Sequence, residues 1–171
     1  MLLTLAQWIQ NTEFFTALRA SAYVHPIVLA LHLSAISLFG GMIVLTDLRL
    51  LGWALKSMPS ATVIEALRIP KRIGFLIAAS FGVLLFCSKA EQYYYNVYFR
   101  TKMAFFLLVA VHALIFRDVY KRGTERDLVQ PFRKRAAAYL SLLIWAGILI
   151  AGRDIGYVLP QAGLHMALLK P

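Results

Sequence analysis

Long uncharged runs separated by charged clusters dominate the chain. Pro26 to Thr46 is 21 residues without a charge, Ala136 to Gly152 is 17, Ile73 to Ser88 is 16 and Met103 to Phe116 is 14. A hydrocarbon core about 30 Å thick needs roughly 20 residues at 1.5 Å each. The first run meets that length outright. The shorter ones are completed by Lys89, Arg100, Lys102 and Arg117, whose long stems reach the interface. Apolar positions do not alternate with polar ones, and hydrocarbon admits only helices or closed barrels, so the runs predict helices. The expectation is an all-α fold: a four-helix transmembrane bundle with spans at about 25–47, 73–93, 99–118 and 135–153.

Before the first span, residues 1–22 (MLLTLAQWIQNTEFFTALRASA) place Trp8, Ile9, Phe14, Phe15 and Leu18 around a polar break at Asn11 and Thr12. This reads as an amphipathic interfacial helix lying on lipid, with Asn11 or Thr12 as a cap. It lacks the basic start and cleavage site of a signal peptide. Residues 154–171 form an outer tail, and 1–171 make one membrane domain. Pro59 and Pro70 punctuate the first long loop, with Thr62 expected to cap a short surface helix, and Pro131 breaks the second. Gly40, Gly41, Gly82 and the AGILIAG stretch at 146–152 offer small faces for packing.

Composition agrees: 60% of residues are hydrophobic, 15% charged, and mean hydropathy is +0.69. The net charge of +10 would suit nucleic acid, but its distribution excludes that partner. Five of the 18 basic residues (Arg49, Lys56, Arg68, Lys71, Arg72) lie between spans one and two. Seven more (Arg117, Lys121, Arg122, Arg126, Arg133, Lys134, Arg135) lie between spans three and four. By the positive-inside rule these loops are cytoplasmic and both termini periplasmic, in a bacterial inner membrane, where the loops also meet anionic headgroups. The lone Cys87 excludes an internal disulfide.

The four histidines are the candidate chemistry. Counted from the first uncharged residue of its run, His32 is seventh and His112 tenth, and both spans run in the same direction. That predicts two imidazoles at similar depth on spans one and three. Histidine inside a bilayer is costly and faces a bundle interior. Two at one depth suit the axial positions of a haem, whereas no carboxylate or thiolate stands there to complete a zinc or copper site. The alternative is that each ring simply hydrogen-bonds a neighbour. His25, seven residues before His32, falls on nearly the same face and is a candidate ligand for a second, outer haem. His165 would be its partner, or a bland interfacial residue. Lys89, Arg100, Lys102 and Arg153 at the outer span ends are candidate partners for haem propionates, or ordinary snorkelling cations. Tyr93, Tyr94, Tyr95 and Tyr98 read as an aromatic belt. Asp47, at the inner end of span one, is read as half of a structural lock with Arg49 or a loop cation.

The stretch HLSAISLFGGMIVLTDLRLLG (32–52) resembles the first span of an uncharacterised bacterial four-helix membrane family. More distantly it is similar to HemJ-type protoporphyrinogen oxidases and CopD copper-resistance membrane domains. The resemblance implies that His32 is the family histidine and that Asp47 and Arg49 belong to the exit motif. Lys102 and His112 fall where the HemJ-type third span has a lysine and a later histidine. What it implies is haem b rather than a particular reaction. The leading expectation is therefore a b-type cytochrome subunit with His32 and His112 as iron ligands. It would transfer electrons within an inner-membrane redox complex, with other subunits and quinone as partners. A HemJ-like oxidase using Lys102, and a haem-free accessory subunit, are the alternatives.

Overall fold

The computed structural model describes residues 1–120 and 130–168, with side chains as far as Tyr157; His165 and the tail beyond Tyr157 lie outside those described side chains, as do Lys121, Arg122 and Arg126. Every element among the described residues is a helix. Two short helices, α1 (Leu2–Gln10) and α2 (Glu13–Ala20), precede α3 (Val24–Leu51). Next come α4 (Ser60–Ala66), α5 (Arg68–Ser88), α6 (Ala90–Tyr95), α7 (Val97–Ile115) and α8 (Pro131–Leu168). Helices α3, α5, α7 and residues 131–157 of α8 are long and apolar enough to cross a membrane, making this a multi-pass membrane protein.

The observed spans are shifted from the expected ones for identifiable reasons. α3 continues to Leu51 because Asp47 and Arg49 are accommodated in its last turns, and it stops where Gly52 takes φ +77°. There Gly52 N–H donates to Arg49 O and Trp53 N–H to Leu48 O, a left-handed glycine cap. α5 begins at Arg68 and ends at Ser88, short of residue 93. The chain kinks at Lys89 and restarts as α6. α7 begins earlier than expected, at Val97, because the Asn96 side chain accepts from Phe99 N–H and caps it. Arg100 and Lys102 thus lie inside that helix. The N-terminal segment is two helices, not one. Thr12 occupies the cap position of α2, but its hydroxyl turns back to Ile9 O at 3.0 Å. Thr62 lies within α4, which Pro59 precedes. Pro131 opens α8, where its missing N–H has no cost.

α3 packs most closely on α5 and α7 on α8, and α3 also meets α8. The two hairpin-like pairs join through a core of Ile144, Trp145 and Ile148, against which Phe39, Ile43, Phe105, Phe106 and Val109 pack. Phe39 and Trp145 meet edge to face with centroids 5.3 Å apart. Small residues act unequally. Phe105 lies so close to Gly147 that an added Cβ would stand 2.5 Å from its ring, whereas nothing lies within 4 Å of Gly40 or Gly41. Among the described residues those two glycines make no close packing contact, contrary to the role expected of them.

α1 and α2 are held at one end of the bundle. Gln7 Nε2 and Gln10 Nε2 donate to the two Glu91 carboxylate oxygens, each at 2.9 Å. Arg19 donates to Gln10 O and, at 2.8 Å, to Ser88 O at the end of α5. Of the residues expected on lipid, Trp8 and Phe14 are exposed, Ile9 and Phe15 half-buried, and Leu18 is buried within the protein instead; Met1, Leu2 and Leu5 are also exposed.

Candidate functional site

Two levels of the bundle carry polar side chains. At the level nearer α1, His32 faces α5: its Nδ1 lies 2.9 Å from Ala78 O, and a Cβ at Gly82 would stand 3.0 Å from its Cε1. A carbonyl only accepts, so Nδ1 carries the proton and Nε2 the lone pair. Lys102 of α7 shares this level, its charge acting on the His32 ring and its Nζ 3.5 Å from where a Gly152 Cβ would be. Lys102 also lies over the Phe106 ring at 5.9 Å. Among the described residues His25 Nδ1 is buried without a hydrogen-bond partner. Lys89 lies near both His25 and Arg19; burial, then the Arg19 charge, holds its amine below the ordinary lysine range. Arg100 is exposed, and Arg153 turns to Tyr157, its guanidinium donating to the hydroxyl at 3.2 Å.

His112 is elsewhere. It is the sixteenth of the 19 residues of α7, buried at 8% exposure, and its Nε2 donates to Ala137 O of α8 at 2.9 Å. Its neighbours on α3 are Ile43, Thr46 and Asp47. Thr46 follows His32 by 14 residues, about 21 Å of helix. One metal shared by two imidazoles needs nitrogens about 4 Å apart, two bonds of about 2 Å. The structure therefore does not bring His32 and His112 together. The depth match fails because α7 starts six residues before Met103, so the first uncharged residue is no gauge of depth there.

What His112 does join is a cleft of about 310 Å³ between the two helix pairs. Ile43, Thr46 and Asp47 come from α3, Lys71 from α5, and Val109, His112 and Ala113 from α7. Arg117 and Tyr120 follow α7, and Ser141 and Trp145 belong to α8. Asp47 is 1% exposed. Tyr120 donates its hydroxyl proton to Asp47 Oδ1 at 3.3 Å, and Ser141 lines the same cleft. Among the described residues Asp47 Oδ2 has no hydrogen-bond partner. Burial first, and then the Asp47 charge, push the Tyr120 phenol well above its ordinary range, so it stays protonated and donates. Lys71 Nζ donates to Thr46 Oγ1 at 3.1 Å, and Thr46 passes its own proton to Met42 O at 2.8 Å. Of the two locks expected for Asp47, with Arg49 or with a cation of the following loop, the one with Arg49 is not made. Arg49 donates to Met58 O at 2.6 Å instead, and it is Lys71 whose charge acts on Asp47.

Tyr120, Ser141 and Thr46 were not singled out by the sequence, and Lys71 only as one of the five basic residues between spans one and two. One signal was available: His112, Phe116 and Tyr120 recur at intervals of four, and their rings stand together, His112 being 4.9 Å from Phe116 and 6.3 Å from Tyr120. The cleft thus combines acceptors (Asp47 Oδ2 and His112 Nδ1) with donors (Lys71 and Arg117). Its walls are apolar. Such an arrangement can hold a small charged molecule.

No curated protein and no solved structure matches this chain. A family model covers residues 14–158, from α2 through the last described side chains of the bundle, and includes every residue of both polar levels. The chain belongs to DUF6644, a family of unknown function.

Proposed function

We propose that this protein is a bacterial inner-membrane binding protein whose working site is the Asp47 cleft, opening toward the cytoplasm. One observation carries the reading: a carboxyl at 1% exposure keeps an oxygen without a donor in a cleft that also presents Lys71 and Arg117. Ionisable side chains inside a membrane are expensive, and a buried acceptor left unpaired costs about 1–3 kcal/mol. A ligand that completes the hydrogen bond offsets that cost. Orientation follows from the basic loops, which stand at the cleft's end of the bundle. The test is access. On a Cys87→Ser background, Ala113→Cys places a thiol in the cleft wall. A membrane-impermeant maleimide should label it in inside-out vesicles and not in right-side-out ones. Labelling only from the opposite side, or from neither, defeats the reading.

A second reading retains haem b and electron transfer, moved wholly to the other level. Its support is that the Ala78 carbonyl fixes the His32 proton on Nδ1, the arrangement by which metal-bound histidines are oriented, while Lys102 shares that level. His32 Nε2 would be the iron ligand there, with Lys102 as second ligand or propionate partner. Bound iron porphyrin would supply one-electron chemistry. Reduced-minus-oxidised visible spectra of the detergent-purified protein decide it. Low-spin b-type bands should vanish in His32→Ala and survive in His112→Ala, and a colourless wild-type protein ends this reading.

A further inference from the structure

Resting on the cleft reading, we infer that the ligand class is a small zwitterion, a carboxylate that also carries an ammonium group, with a compact apolar side chain. The inventory of unmet hydrogen-bonding capacity defines the match. Asp47 Oδ2 is buried and lacks a donor, while Oδ1 already takes the Tyr120 proton. Neutral Asn or water would satisfy a lone acceptor, but a buried carboxylate is compensated best by a cation. Lys71 spends one of its three N–H groups on Thr46, leaving two. Arg117 lines the same cleft and makes no hydrogen bond among the described residues. Its guanidinium offers a planar fork to a carboxylate.

Charge balance points the same way. Two cations and one anion line the cleft, so a pure cation would meet net repulsion, and a pure anion would bring no donor to Asp47 Oδ2. A zwitterion satisfies both at once. Ile43, Val109, Ala113 and Trp145 line the same cleft, which suits a hydrocarbon side chain. At about 30 Å³ for each water-sized unit, 310 Å³ admits on the order of ten non-hydrogen atoms. That is the size of a branched-chain amino acid.

The experiment compares three molecules of one shape by calorimetry on the full-length protein in detergent: L-leucine, 4-methylpentanoate and isopentylamine. Leucine should bind about tenfold or more tightly than either single-charge analogue, since each leaves charged groups of one sign unpaired. Asp47→Asn should lower leucine to the level of 4-methylpentanoate, and Lys71→Gln should lower it toward isopentylamine. Equal binding of leucine and 4-methylpentanoate overturns the zwitterion and identifies an anion site. If none of the three binds while the Ala113→Cys thiol still labels from the cytoplasmic side, the ligand class is wrong and the cleft reading survives. If neither binding nor labelling is seen, both fall. A folded Asp47→Asn protein, judged by unchanged gel-filtration behaviour, that binds leucine as wild type does also overturns the proposal.

Discussion

The His32 level and the Asp47 level are built from the same four helices and differ in what their polar groups are left to do. At the first, the imidazole is packed against a glycine and a backbone carbonyl, and the nearest charge is a single lysine. At the second, carboxyl, phenol, hydroxyl, ammonium and imidazole converge on one cleft, and an oxygen is left over. The difference teaches that an isolated polar residue within a membrane helix can be satisfied by a neighbouring backbone. A converging set leaves capacity unspent beside several other polar groups, as the unpaired His25 Nδ1 of the first level is not, and that combination is the mark of a site.

The comparison can be broken most forcefully at the seam. Trp145→Ala removes the ring that packs on Phe39 and walls the Asp47 level. Thermal unfolding in detergent should show a loss of about 3–5 kcal/mol, the usual cost of a buried aromatic, and leucine binding should vanish with it. His112→Ala comes next. It leaves the Ala137 carbonyl with one partner fewer and removes a buried ring, for about 1–3 kcal/mol. His32→Ala should cost less, about 0.6 kcal/mol, the average for a hydrogen bond between membrane helices, because that ring is only half-buried. Equal losses at the two histidines would erase the distinction between the levels.

The smallest effect concerns the Arg133–Asp118 pair, just beyond the cleft, with Arg133 Nε donating to Asp118 Oδ2 at 2.7 Å. This bond holds the Asp118 carboxyl below its ordinary 3.8. A carboxyl lowered on folding adds stability above its unfolded value and loses it as pH falls through the folded one. Wild type and Arg133→Ala should therefore differ slightly at pH 7 and converge well below pH 4, by less than the His32→Ala shift, since the pair is exposed.

The four spans were legible because hydrocarbon demands runs of uncharged residues, and nothing local overrides that demand. The site was not, for two physical reasons. Charged residues do not mark the membrane boundary when they have somewhere to go: Lys102 lies within α7 against Gly152, and counting from it moved His112 toward the wrong end. Asp47 was visible as an intramembrane-edge carboxylate, but its partners come from α5, α8 and the turn after α7. No spacing within one helix encodes a meeting among four.

The two carbonyl contacts of the histidines have a mechanical consequence. Each works as a rivet against lengthwise sliding, His32 pinning α3 to α5 and His112 pinning α7 to α8. A slip of one residue, about 1.5 Å, would undo either. Between the hairpins the ties are of another kind, the Phe39–Trp145 packing and the Tyr120–Asp47 hydrogen bond. The cleft draws its walls from both pairs, so an occupant would act as a wedge in the joint between two levers.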